Sequence, residues 1–124
     1  MPAPRYFEVV RPFFQALAAG QFRAVTSVIT LAEIAVGPLR RGRPEVADDY
    51  EVLIRSYPYL RVLDVDQTVA RRAAELRASA RLRLAGSLQV ATALEAGATV
   101  FITNDLGLAG LSALEVLILD SFLD

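Results

Sequence analysis

The chain has 124 residues, of which 54% are hydrophobic, with a mean hydropathy of +0.39. That excludes a disordered polymer and leads us to expect residues 1–124 to form a single domain around one core. Thirteen Lys+Arg against fourteen Asp+Glu leave a net charge of −1, so no overall basic field recruits nucleic acid. His, Cys and Lys are all absent. Their absence removes Ser-His-Asp and Cys-His catalysis, disulfides, zinc sites built on nitrogen or sulfur, Schiff-base chemistry and a phosphate-binding lysine. Carboxylates, hydroxyls, amides, Tyr and Arg remain, and with them hard, oxygen-seeking cations such as Mg²⁺.

The start, Met1-Pro2-Ala3-Pro4-Arg5, lacks a charged segment followed by an apolar run. Arg11 and Pro12 interrupt the first hydrophobic stretch, and nothing approaches the ~18 apolar residues of a membrane span. The expectation is a soluble, cytoplasmic protein with no membrane contact. Tyr6 to Ala19 has helical spacing through Phe7, Val10, Phe13, Phe14 and Leu17, with Gly20 as a stop and Pro12 placed to kink or divide it. Ala24 to Ser27 is a brief β-favouring strand. Thr30 to Leu39 predicts a second helix, ended by Gly37-Pro38 or by the turn Arg40 to Pro44, and a third runs from about Glu45 to Ser56.

Tyr59 to Val65 alternates and predicts a strand. Asp66 to Leu82 predicts the clearest long helix, N-capped by Asp66, with Val69, Ala70, Ala73, Leu76 and Ala80 as its buried stripe. Asp64 is left to face solvent. Ser87 to Ala96 predicts a helix closed by Gly97. Thr99 to Thr103 is nearly all apolar, as in a buried parallel strand, and Glu115 to Leu119 repeats the pattern. Strands alternate with helices and no hairpin signal joins any two of them, which predicts an α/β fold with a mostly parallel sheet.

In an open parallel sheet, sites gather at the carboxyl ends of the strands. Ser27 closes the first strand, with Glu33 in the helix that follows; Thr103-Asn104-Asp105 closes the third. A carboxylate from each place could share a divalent cation. The plainer alternative is local: Thr30 to Glu33 fits a capping box, and Asn104 or Asp105 an N-cap. The basic turn Arg40-Arg41-Gly42-Arg43 could touch phosphate or simply be a solvated loop. Phe13, Phe14, Tyr57 and Tyr59 fit a core or a dimer seam better than a base-stacking platform.

The stretch Val25 to Glu33 resembles the Ser-x-Ile-x-x-x-Glu element of PIN domains, in particular VapC-type toxins. Leu82 to Ala98, running into Val100-Phe101-Ile102-Thr103-Asn104-Asp105, resembles the same family's later motif with its closing Thr-Asn-Asp. The resemblance implies a PIN-like, three-layer α/β domain and a Mg²⁺- or Mn²⁺-dependent endoribonuclease. It also implies a homodimer held inactive by an antitoxin protein, with RNA as substrate. Glu33 and Asp105 match catalytic, metal-binding acids, and Ser27, Thr103 and Asn104 match supporting positions. Two departures bear on activity. A further acid of the family falls on Gly86, and the family's opening central strand, with its Asp motif, has no counterpart. Its loss would leave two half-sheets to close a gap or recruit a strand. The expectation is therefore a toxin-type ribonuclease with impaired catalysis. The alternative is a non-catalytic module that pairs with an antitoxin or an intact homologue.

Overall fold

Two pairs of parallel strands and five α-helices make up the computed structural model, which describes residues 3–103, 106–108, 110–112 and 114–118. In chain order these are α1 (Ala3–Ala18), β1 (Ala24–Ser27), α2 (Val28–Arg40), α3 (Pro44–Ser56), β2 (Leu60–Leu63), α4 (Gln67–Ser79), α5 (Leu84–Glu95), β3 (Val100–Thr103), a 3₁₀ turn (Leu106–Leu108) and β4 (Glu115–Ile118). β1 lies parallel to β2, with Ala24 opposite Leu60 and Ser27 opposite Leu63. β3 lies parallel to β4, with Val100 opposite Glu115 and Thr103 opposite Ile118. The predicted α/β class and parallel pairing are both present. Among the described residues the sheet is two two-stranded pieces, with no ladder between them.

Several boundaries move for local reasons. Pro12 lies within α1 without dividing it. It is exposed, so water can replace the hydrogen bond its missing N–H removes. Pro38 is likewise carried inside α2, which ends only at the Arg41-Gly42 turn, where Gly42 has φ +70°. α2 also starts earlier than Thr30, because Ser27 caps it: its Oγ accepts from the Ile29 N–H at 3.1 Å. The Thr30–Glu33 capping box therefore does not form. β2 shrinks to four residues, since Tyr59 turns the chain in the left-handed region at φ 61°. Asp66 caps α4 as expected, accepting from the Val69 N–H at 2.9 Å, and Asp64 is exposed. α4 stops at Ser79, where Ala80 becomes extended, and Ala70 faces solvent instead of joining the stripe.

α5 is the most deeply packed helix. Ser87, Val90, Ala91, Thr92 and Ala93 are all buried. Its hydroxyls are satisfied on the helix itself: Ser87 Oγ donates to the Leu84 carbonyl at 2.7 Å and Thr92 Oγ1 to the Leu88 carbonyl at 2.8 Å. Small side chains let α4 approach closely, so Ala91 packs with Val69 and Ala73. Along its length α5 supplies Val90 and Ala93 to a second cluster with Leu82, Leu108 and Leu114, against which Phe101 of β3 packs. β1 also contacts α5. The helix thus underlies both sheet pieces. β3 is not the fully buried strand that its sequence predicts. Phe101 is half-buried, but Val100 and Ile102 on the other face are each 40% exposed, because nothing described covers that face.

The aromatic residues gather near the end of α1. Phe13 meets Phe14 edge-on at 5.2 Å and Phe22 at 5.1 Å, Phe14 meets Tyr57 at 5.3 Å, and the Tyr57 hydroxyl donates to the Phe14 carbonyl. They tie α1 to the α3–β2 connection, with Leu17 fully buried. Beside them Gly20 has φ +76°, and a Cβ there would stand 3.1 Å from the Tyr59 ring. Gly42 has a similar φ with open space around it. Both Gly→Ala changes incur the left-handed penalty of roughly 1–2 kcal/mol; Gly20→Ala should cost measurably more by chemical denaturation because it also displaces the ring. Equal losses would mean that the Tyr59 ring yields freely.

Candidate functional site

β1, α2 and α5 meet at the carboxyl end of β1, as the parallel topology directs. Ser27 ends the strand and is fully buried. Besides capping α2, its hydroxyl donates to Gln89 Oε1 on α5 at 2.6 Å. The same amide's Nε2 donates to Thr30 Oγ1 at 2.9 Å, and Thr30 Oγ1 lies 2.8 Å from Thr26 Oγ1. A single glutamine thus accepts from one neighbour and donates to the next, which fixes the orientation of its amide. The chain of bonds carries no net charge. Among the described residues no buried side-chain nitrogen or oxygen lacks a partner.

Glu33 lies one turn beyond Thr30 on α2, exposed, and among the described residues its side chain has no ion pair or hydrogen bond. It is not an element of a helix cap, so its carboxylate is available for chemistry. Thr103 is half-buried at the end of β3, whereas Asn104 and Asp105 lie outside the described residues. Gly86 does not precede α5 but is its third residue, in the first turn, and it is not one of the glycines with positive φ. The structure therefore joins Ser27 to Thr26, Thr30 and Gln89, places Glu33 on the same helix as Thr30, and leaves position 86 without a side chain. The Arg40–Arg43 turn is exposed. Arg43 pairs with Glu45 at 2.7 Å and holds the Glu45 carboxyl below the usual glutamate range.

Sequence reading missed Thr26, Thr30 and Gln89 as members of this corner. Gln89 carried one usable signal: it is the single long polar side chain in the otherwise small or apolar run Leu84 to Leu94.

A hard divalent cation takes oxygen ligands, and carboxylates among them add the charge that makes binding firm. The described residues contain no group of three or more His, Cys, Asp or Glu able to hold a metal. Among the described residues the one carboxylate near this corner in sequence is the exposed Glu33, one turn along α2 from hydroxyls and an amide already committed to one another. The donor set that the described residues supply does not by itself fit a firmly held Mg²⁺ or Mn²⁺. What it does provide is a hydrogen-bonded junction with one solvent-facing acid on the same helix.

The fold is similar to two solved structures. One is VapBC2 from Rickettsia felis bound to a DNA fragment from its promoter, with a TM-score of 0.70 and 18% identity over 90% of this chain and 85% of that one. The other is a toxin-antitoxin complex from Klebsiella pneumoniae, with a TM-score of 0.64 and 22% identity over 90% and 92% of the two chains. No curated protein matches the sequence. Residues 6–114 match the PIN domain family, and with most of its length in that match the chain belongs to the PIN domain family.

Proposed function

We propose that this chain is a VapC-type PIN module that engages an antitoxin-like protein and has only impaired Mg²⁺- or Mn²⁺-dependent endoribonuclease activity. Membership of the family and likeness to chains from toxin-antitoxin complexes support the partner. The observation that carries the impairment is Gly86, a residue with no side chain in the first turn of α5, where the family places an acid. Glu33 and Asp105 remain as the catalytic and metal-binding acids, with Ser27, Thr103 and Asn104 in support. Two fixed carboxylates repel each other less than a larger cluster, but they also hold a cation less firmly. Calorimetry with Mn²⁺ and a cleavage assay on a mixed RNA pool should give weak binding and slow cleavage. Robust Mg²⁺-dependent cleavage that Asp105→Asn abolishes would overturn the impairment.

Gly86→Asp should tighten Mn²⁺ binding by about tenfold, or ~1.4 kcal/mol, without harming the fold. Asp fits a helical backbone, replaces a poor helix former and favours the positive end of the helix dipole. Unchanged affinity together with a lowered melting temperature is the result that counts against this assignment.

The alternative reading, a non-catalytic binding module, draws on the exposed apolar side chains. Val36 and Leu39 on α2 are 43% and 54% exposed, and Val52 and Leu53 on α3 are 64% and 57%. Apolar surface of this kind, together with the bare face of β3, favours association, either with an intact homologue or with a second copy as a homodimer. Sedimentation over a wide concentration range should show self-association, and the melting temperature should rise with protein concentration. A monomer with concentration-independent melting would remove the homodimer.

A further inference from the structure

We propose that Gln89 is the positioning residue of the β1–α2–α5 corner: its two hydrogen bonds fix the first turn of α2, and with it the Glu33-bearing helix, against α5 without the help of a cation. Two consecutive elements, β1 and α2, meet the distant α5 here, and one side chain joins all three. Ser27 belongs to β1 and caps α2, Thr30 lies in the first turn of α2, and Gln89 lies in the middle of α5, 62 and 59 residues away respectively.

The bond directions leave little freedom. Ser27 Oγ accepts from the Ile29 N–H, so its own proton goes to Gln89 Oε1. That places Nε2 toward Thr30, whose hydroxyl, having accepted, can pass its proton to Thr26. Ser27 is fully buried. Loss of the acceptor would leave its hydroxyl without a partner in a place water does not reach, a costlier change than deleting an exposed bond. In a carboxylate-lined corner, repulsion between acids would keep the elements apart until a cation neutralised it. Here every member of the network is neutral and satisfied, so the corner is organised in the metal-free protein.

Among the described residues the side chain of Gln89 bonds to Ser27 and Thr30 and not to Glu33. Its effect on any reaction passes through the placement of α2. The role assigned to Glu33 rests on the function proposed above, whereas the clamp itself does not.

The test is amide hydrogen exchange on the full chain, for the parent protein, Gln89→Leu and Gln89→Glu, each with MgCl₂ and with EDTA. The parent should show the same protection at Ile29 to Glu33 in both conditions. Gln89→Leu should lose about tenfold in protection there, more than in α3 or α4. Gln89→Glu should lose protection in EDTA, because it sets an unpaired carboxylate in a neutral network beside the buried Ser27, and should regain part of it with MgCl₂. If Gln89→Leu does not fold, Thr30→Val removes one arm of the clamp and should give a smaller loss in the same segment. Unchanged protection in the leucine variant, a uniform loss across the chain, or a parent segment protected only with MgCl₂ would each overturn the proposal. Mn²⁺ calorimetry on the same proteins, with and without Glu33→Gln, separates the two readings. Should the parent bind no Mn²⁺, the metal role of Glu33 fails while the exchange pattern still decides the clamp. Should it bind, Gln89→Leu is expected to weaken binding only where Glu33 is present.

Discussion

The burial of α5 is the constraint on which the rest of this molecule depends. A helix packed by α4, by the cluster that includes Phe101 of β3, and by β1 has no exposed residue from Gly86 to Leu94. Its polar groups must therefore be few, and each must find a partner. The sequence complies: Ser87 and Thr92 bond back to carbonyls of their own helix, and Gln89 reaches across to β1 and α2. Ala91 and Ala93 keep the neighbours close enough for dispersion to count. Because both sheet pieces rest on this one helix, they keep a common frame even though no described strand joins them.

That arrangement has a chemical consequence. The carboxyl ends of parallel strands are where acids can converge on a cation, and in this chain that end of β1 carries hydroxyls and an amide instead. Neutral groups hold the corner together by hydrogen bonds of ordinary strength, each contributing about 1 kcal/mol net. A carboxylate cluster would hold it only once a metal had bound. Stability without metal and affinity for metal pull in opposite directions here. The glycine in the first turn of α5 and the neutral Gln89 one turn further on both shift the balance toward a fold that persists without a cation.

The outer faces follow a different rule. Salt bridges such as Arg55–Glu51 and Arg71–Glu75 sit on exposed helix surface and contribute little. The Arg72–Glu95 pair links α4 to α5 at 2.7 Å, and it too lies on exposed surface. Apolar side chains on α2, α3 and β3 remain open to solvent next to these charged surfaces, which gives the domain faces suited to another protein.

Much of the fold was legible in local chemistry. The alternation of strands and helices, the β1 strand, the Asp66 cap and the Gly97 stop each depend on residues next to one another, so spacing and capping rules reach them. The family's motifs pointed to Ser27, Glu33 and Gly86 for the same reason. Other features were decided by neighbours far along the chain. Whether Ser27 or Thr30 would cap α2 turned on Ser27 being buried beside Gln89, and whether Gly86 would precede or enter α5 turned on how early that helix could begin against its packing partners. The apolar run of β3 specified a strand, yet burial is a property of what lies opposite, and one face of Val100 and Ile102 has no described cover. Residue type and spacing determined which elements form and which side chains are chemically able; tertiary structure alone decided which of them meet, because hydrogen bonds and burial depend on proximity that a linear pattern does not encode.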